Sequence, residues 1–181
     1  MKMNLSFGSF LLLVLALFVN PSCEKEAKTD SPESSSISLA DASSAKLESK
    51  LLKSLRSATS RYNSTTQAEK AGYLETDECV AVPGLGGMGY HWVNETLVDP
   101  EFNPLEPEVM LYAKAPNGKL RLVAVEYIVI NVGQPRPSID GHLFDIGGTP
   151  VPVPHWSLHV WLYEENPTGI FEPWNPVISC Q

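Results

Sequence analysis

Leu120-Arg121-Leu122-Val123-Ala124-Val125-Glu126-Tyr127-Ile128-Val129-Ile130 decides the fold class. Branched aliphatic residues dominate it and no glycine or proline interrupts it, so it reads as a strand. Its centre is apolar at odd and even positions alike, the pattern of an interior strand covered on both faces. Upstream, Glu108 to Ala115 is a second strand, and Asn117-Gly118 between the two is a favoured two-residue hairpin turn. An antiparallel sheet growing outward from this hairpin is the expected core. Glu126 breaks the apolar run. A carboxyl in such a place must be neutralised, hydrogen-bonded or paired with a cation.

A second strand pattern, Pro154-His155-Trp156-Ser157-Leu158-His159-Val160-Trp161-Leu162-Tyr163, has two unlike faces. Trp156, Leu158, Val160 and Leu162 point one way; His155, Ser157, His159, Trp161 and Tyr163 point the other. The first set is core, and the second is an imidazole and aromatic surface suited to lining a pocket. On a helix, His155 and His159 would be neighbours able to share a metal. On a strand four residues span about 13 Å, too far for one ion with bonds of about 2.0–2.1 Å. At most one of the two therefore joins a given metal site. Its partners would come from His91, His142 or Glu126. The competing reading is that the histidines are hydrogen-bonded packing residues.

The region before the sheet is helical. Leu47, Leu51, Leu55, Ala58 and Tyr62 recur at three- and four-residue spacing and form one apolar stripe. Thr66-x-x-Glu69 reads as a capping box for a second short helix, and Gly72 is placed to end it. The expected architecture is α+β, with N-terminal helices packed on a mainly antiparallel β-sheet, residues 45–181 forming one domain. Gly84-Leu85-Gly86-Gly87-Met88-Gly89 matches the dinucleotide-binding glycine pattern only formally. Tyr90-His91-Trp92-Val93 follows with strand composition where that motif must open a helix. A permissive loop is the better account. Residues 131–154 form a long Pro/Gly-rich segment containing His142, of the kind that carries function or covers a site.

Charge excludes some partners. The chain carries a formal −8, and from Asp77 to Gln181 only Lys114, Lys119, Arg121 and Arg136 oppose 13 Asp and Glu. So acidic a domain does not suit nucleic acid, whose binding rests on neutralising phosphates. No Gly-x-Ser-x-Gly, His-Glu-x-x-His, phosphate loop or Cys-x-x-Cys is present. The tryptophans at 92, 156, 161 and 174 could stack a ring ligand, although core packing explains most of them equally well.

The first 22 residues contain one lysine and the apolar run Phe10 to Val19, too short for a membrane span and fitting a secretory signal. With Ser22-Cys23 after it, the segment resembles a bacterial lipoprotein signal, which implies lipid on Cys23 and anchorage to a membrane. Residues 23–44, rich in Ser, Glu, Lys and Asp, read as a disordered tether. With Cys23 lipidated, Cys79 and Cys180 remain for one disulfide in an oxidising compartment. Two buried thiols are the alternative.

Several segments together resemble an uncharacterised family of small exported bacterial proteins. They are Gly87-Met88-Gly89-Tyr90-His91-Trp92-Val93-Asn94, Leu122-Val123-Ala124-Val125-Glu126-Tyr127, Leu158-His159-Val160-Trp161-Leu162 and Asn166-Pro167-Thr168-Gly169-Ile170-Phe171. A fainter likeness, over Arg121 to Val129 and the later histidine strand, is to plant oil-body-associated proteins. Neither resemblance implies a reaction. The expected protein is an outer-membrane lipoprotein, periplasmic or surface-exposed, that binds a ligand or partner without catalysis through His155, Trp161 and Tyr163. The alternative is a divalent transition-metal site, possible in a metal-dependent hydrolase, using His91, His159, Glu126 and His142.

Overall fold

The computed structural model describes residues 50–148 and 151–180. The signal segment, the Cys23 lipidation site and the tether expected from the sequence lie outside those residues. Helix α1 covers 50–59, a 3-10 turn follows at Ser60–Asn63, and α2 is Thr65–Lys70. The apolar stripe of α1 does what its spacing implies: Leu51, Leu55 and Tyr62 pack into the main core cluster. The start of α2 differs from the capping-box expectation. Ser64 is the cap residue, two residues before Thr66, and it makes no side-chain cap bond. Burial of Ala68 stabilises this short helix instead. At its other end Gly72 adopts φ 95°, and Tyr73 N–H donates to the Ala68 carbonyl at 3.0 Å, satisfying a terminal carbonyl.

Six strands form one antiparallel sheet in the spatial order β1-β2-β3-β4-β8-β7. The ranges are β1 Leu74–Val82, β2 Gly86–Val93, β3 Val109–Lys114, β4 Leu120–Ile130, β7 Asp145–Ile146 and β8 His155–Val160. Between β4 and β7, β5 (Ser138–Ile139) and β6 (His142–Leu143) pair as a separate ribbon. The expected α+β architecture, with N-terminal helices on a mainly antiparallel sheet, is therefore present. The β3–β4 turn is one residue longer than a two-residue turn. Ala115 N–H donates to the Lys119 carbonyl, and Gly118 takes φ 77° at the end of a three-residue loop.

Strand β4 is buried on both faces, as its composition requires. Val125, Tyr127 and Val129 join the helix-side core with Leu55 and Tyr62, whereas Ala124 and Ile128 join Val109, Leu111, Trp161 and Ile178 on the other side. The register breaks once: Leu111 lies opposite Ala124 and Tyr112 opposite Leu122, leaving Val123 as an extra residue. This bulge lets Val123 and Ala124 both face the second core layer. Tyrosine hydroxyls tie the helices down. Tyr112 donates to the Tyr62 carbonyl at 2.5 Å, and the Tyr163 hydroxyl lies 2.9 Å from Thr59 Oγ1.

The glycine run departs from the loop expectation. Only residues 83–85 turn; Gly86 to Gly89 lie within β2. The C-terminal segment crosses them at close range. Gly87 and Asn175 exchange two backbone hydrogen bonds, of 3.0 and 3.1 Å. Gly86 has φ 105°, and a Cβ there would lie 2.1 Å from the Asn175 oxygen. A few residues further, Cys180 is disulfide-bonded to Cys79 on β1, with Cα atoms 5.5 Å apart.

Candidate metal centre

Pairing of β4 with β8 sets Glu126 directly opposite His159, and residues opposite one another share a sheet face. His91 comes from β2, two strands from β4 and about 10 Å away at ordinary strand spacing. Across the intervening β3, Leu111 lies opposite His91 and Val109 opposite Glu126. The two side chains therefore lean toward each other over β3. His91 Nε2 lies 3.6 Å from Glu126 Oε2, and His159 Nε2 lies 3.8 Å from the same oxygen. One nitrogen or oxygen from each of the three falls within 4.8 Å of the other two. All are buried, at 4%, 8% and 4% exposure for His91, Glu126 and His159.

The proximity suggests ion pairs, but burial argues the other way and burial wins. Separations of 3.6 and 3.8 Å are too long for hydrogen bonds. Desolvation raises the Glu126 carboxyl to about 8, with a further push from Glu108. Desolvation, reinforced by His91, lowers the His159 imidazole to about 3. At neutral pH the free site thus holds a carboxylic acid beside a neutral imidazole. His159 Nε2 is buried and has no hydrogen-bond partner among the described residues. A dication inverts this preference, since it takes carboxylate and neutral imidazole as ligands.

The residue types and separations fit such an ion. Bonds of about 2.0–2.1 Å at tetrahedral angles put ligand atoms about 3.3 Å apart. The Glu126 contacts need to close by only a few tenths of an ångström. Two imidazoles with one carboxylate suit zinc, and with open positions they suit non-haem ferrous iron. A cavity of about 610 Å³ lies over the three groups, bounded by Met88, Val109, Ile128, Val151 and Trp174 among others.

Of the four metal-ligand candidates, His91, Glu126 and His159 come together and His142 does not. His142 sits on β6, outside the six-stranded sheet, with its ring 4.2 Å from that of Phe171. His155 lines the same cavity from the far end of β8 but is fixed as a wall. Its Nδ1 lies 2.8 Å from the Val153 carbonyl, and Gly147 presses on the Nε2 edge so closely that a Cβ there would lie 2.0 Å away.

Trp161 and Tyr163 line no part of this cavity. Trp161 is 3% exposed in the second core layer, and its Nε1–H donates to the Glu172 carbonyl at 2.7 Å. Tyr163 joins the helix side, donating to the Arg56 carbonyl. The physical reason is that β8 ends at Val160. Trp161 keeps the expected face but lies in the second core layer outside the cavity, whereas the Tyr163 and Glu164 N–H groups both donate to the carbonyl of the bulged Val123 and alternation is lost at Tyr163. Met88 and Trp174, which do line the cavity, were hidden in a glycine run and a Pro-flanked tail.

Fold and site together define a class: an antiparallel sheet carrying two imidazoles and a carboxyl that converge, buried, at the base of a cavity. No protein-family model, curated protein or solved structure matches the chain.

Proposed function

We propose that this is a metal-centred ligand-binding protein of the bacterial cell envelope, exported and anchored by lipid on Cys23. Membership of the uncharacterised family of exported proteins is part of the same proposal. The observation that carries the metal is the convergence of His91, Glu126 and His159 from three strands to within 4.8 Å. Buried polar groups ordinarily find hydrogen-bond partners; here a buried imidazole nitrogen has none among the described residues and faces a buried carboxyl. A bound dication supplies the missing partner to both. Of the three ligand-binding residues expected from the sequence, His155 lines the cavity over this centre.

Equilibrium dialysis against Zn²⁺ or Co²⁺, followed by metal analysis, is expected to give one ion per chain. Changing outer partners of a metal ligand costs about 10–100-fold in affinity. Loss of a ligand in Glu126→Gln or His159→Ala should therefore weaken uptake by more than about 100-fold. His142→Ala should leave it unchanged. No uptake by the unaltered protein, or full uptake by both ligand variants, rejects the site.

Anchorage has its own test. Cys23→Ala is expected to move the protein from the membrane fraction to the soluble fraction; an unaltered distribution rejects lipidation.

A further inference from the structure

We infer that the cavity over the metal centre takes a monoanionic organic acid with an unbranched apolar body, its carboxylate on the metal and its chain lying along β8. This rests on the metal proposal above and adds the chemical class of ligand.

Charge sets the head group. A dication with the Glu126 carboxylate and two neutral imidazoles leaves one positive charge where the ligand side chains are buried. A buried net charge requires a counter-charge. The nearby carboxyls do not provide it. Glu108 accepts the Ile128 N–H at 2.9 Å, and Asp145, well exposed, sits 3.8 Å from Arg136. All three protein ligands rise from one sheet face, so the ion's remaining side meets the cavity, where an anionic oxygen can reach it.

Shape and lining set the body. His159, Ser157 and His155 line the cavity in succession along β8, a run of about 13 Å. Val109 and Ile128, buried in the sheet, lie at the floor beside Glu126, and the half-buried Val151 and Trp174 give apolar surface above it. An inorganic anion would satisfy the charge and leave the half-buried Val151 and Trp174 facing water, whereas a hydrocarbon chain covers them. Among the described residues the far end offers no second anion site. Arg136 is taken up by the Phe144 carbonyl, by Asp145 and by the Trp156 ring, and His155 is covered by Gly147. A monoacid fits there better than a diacid.

The test uses Zn²⁺-loaded protein titrated with acetate, butanoate, hexanoate and octanoate by calorimetry, with tryptophan fluorescence as a second readout. Each methylene buried should tighten binding about fourfold, so octanoate is expected to bind more than tenfold tighter than butanoate. Val151→Thr, isosteric and uncharged at a half-buried wall position, should shrink that gain while leaving metal uptake unchanged. Affinity independent of chain length, or octanoate binding equally well to zinc-free protein, overturns the inference while the metal centre stands. Failure of the unaltered protein to take up metal overturns both.

Discussion

The paired substitution Cys79→Ser with Cys180→Ser is expected to destabilise the domain by about 2–5 kcal/mol and to lower its melting temperature by on the order of 10 °C. The bond spans a sequence separation of 101 residues, so it closes most of the sheet into one covalent loop. Cross-linking constrains the unfolded chain more as the loop lengthens. The native consequence is local. The segment ending at Cys180 supplies Pro173 and Trp174 to the cavity wall, and it is held besides by the Gly87–Asn175 exchange, by Asn166 and Thr168 donating to the Trp174 carbonyl, and by burial of Ile178. Loss of the bond should therefore also change tryptophan emission and weaken ligand binding more than metal binding, because His91, Glu126 and His159 lie on strands inside the sheet. Thermal unfolding of the oxidised protein beside the paired variant checks this; equal melting temperatures would refute it.

Metal-free protein should lose stability as pH rises, most steeply between about 6.5 and 8. Glu108 is 2% exposed, and burial raises its carboxyl from 4.5 to about 8 against the opposing hydrogen bond from Ile128. Glu126 is raised to about 8 as well. Above 4.5 the unfolded chain ionises at these positions while the folded chain holds its protons, so each carboxyl lowers stability by up to about 1.4 kcal/mol per pH unit. His159 acts with the opposite sign. Its folded value of about 3 lies below the ordinary 6.5, so its contribution is present above 6.5 and is lost as pH falls toward 3.

From 4.5 to 6.5 two carboxyls oppose one imidazole, and above 6.5 the carboxyls act alone. The optimum contributed by these three groups thus lies near pH 4.5. Urea unfolding in chelator at several pH values measures the slope. Glu108→Gln keeps an oxygen for the Ile128 N–H and should halve the fall above pH 6.5. Stability that is flat or rising between 6.5 and 8 would mean the carboxyls are already ionised in the folded protein. Added zinc should cancel the share belonging to Glu126.

Much of this site was legible one strand at a time. Glu126 stood out because a carboxyl inside an unbroken apolar strand demands an explanation, and strand geometry alone separated His159 from His155. Their company was not legible. Placing Glu126 opposite His159 requires β8 to return to β4 across a long Pro/Gly-rich segment, and composition carries no register. His91 reaches Glu126 only because its side chain leans over β3. His142 stays apart from the centre because its segment forms its own ribbon. The periodicity rule holds as far as Trp161, which shares the second core layer, and fails at Tyr163, which joins the helix side; nothing in residues 155–163 themselves marks Val160 as the end of the strand. The glycine run of β2 reads as a loop because its purpose, room for a chain segment nearly 90 residues later, is invisible locally.

The disulfide also decides how the domain carries mechanical load. A pull between the N-terminal end of α1 and Cys180 runs through the helices to Cys79 and then straight across the sulfur bridge. The strands β2, β3, β4 and β8, and the three residues they bring together, lie inside the bypassed loop and bear no tension. On a tethered protein, tugging of that kind would peel the helices from the sheet and leave the centre assembled until the bond itself is reduced.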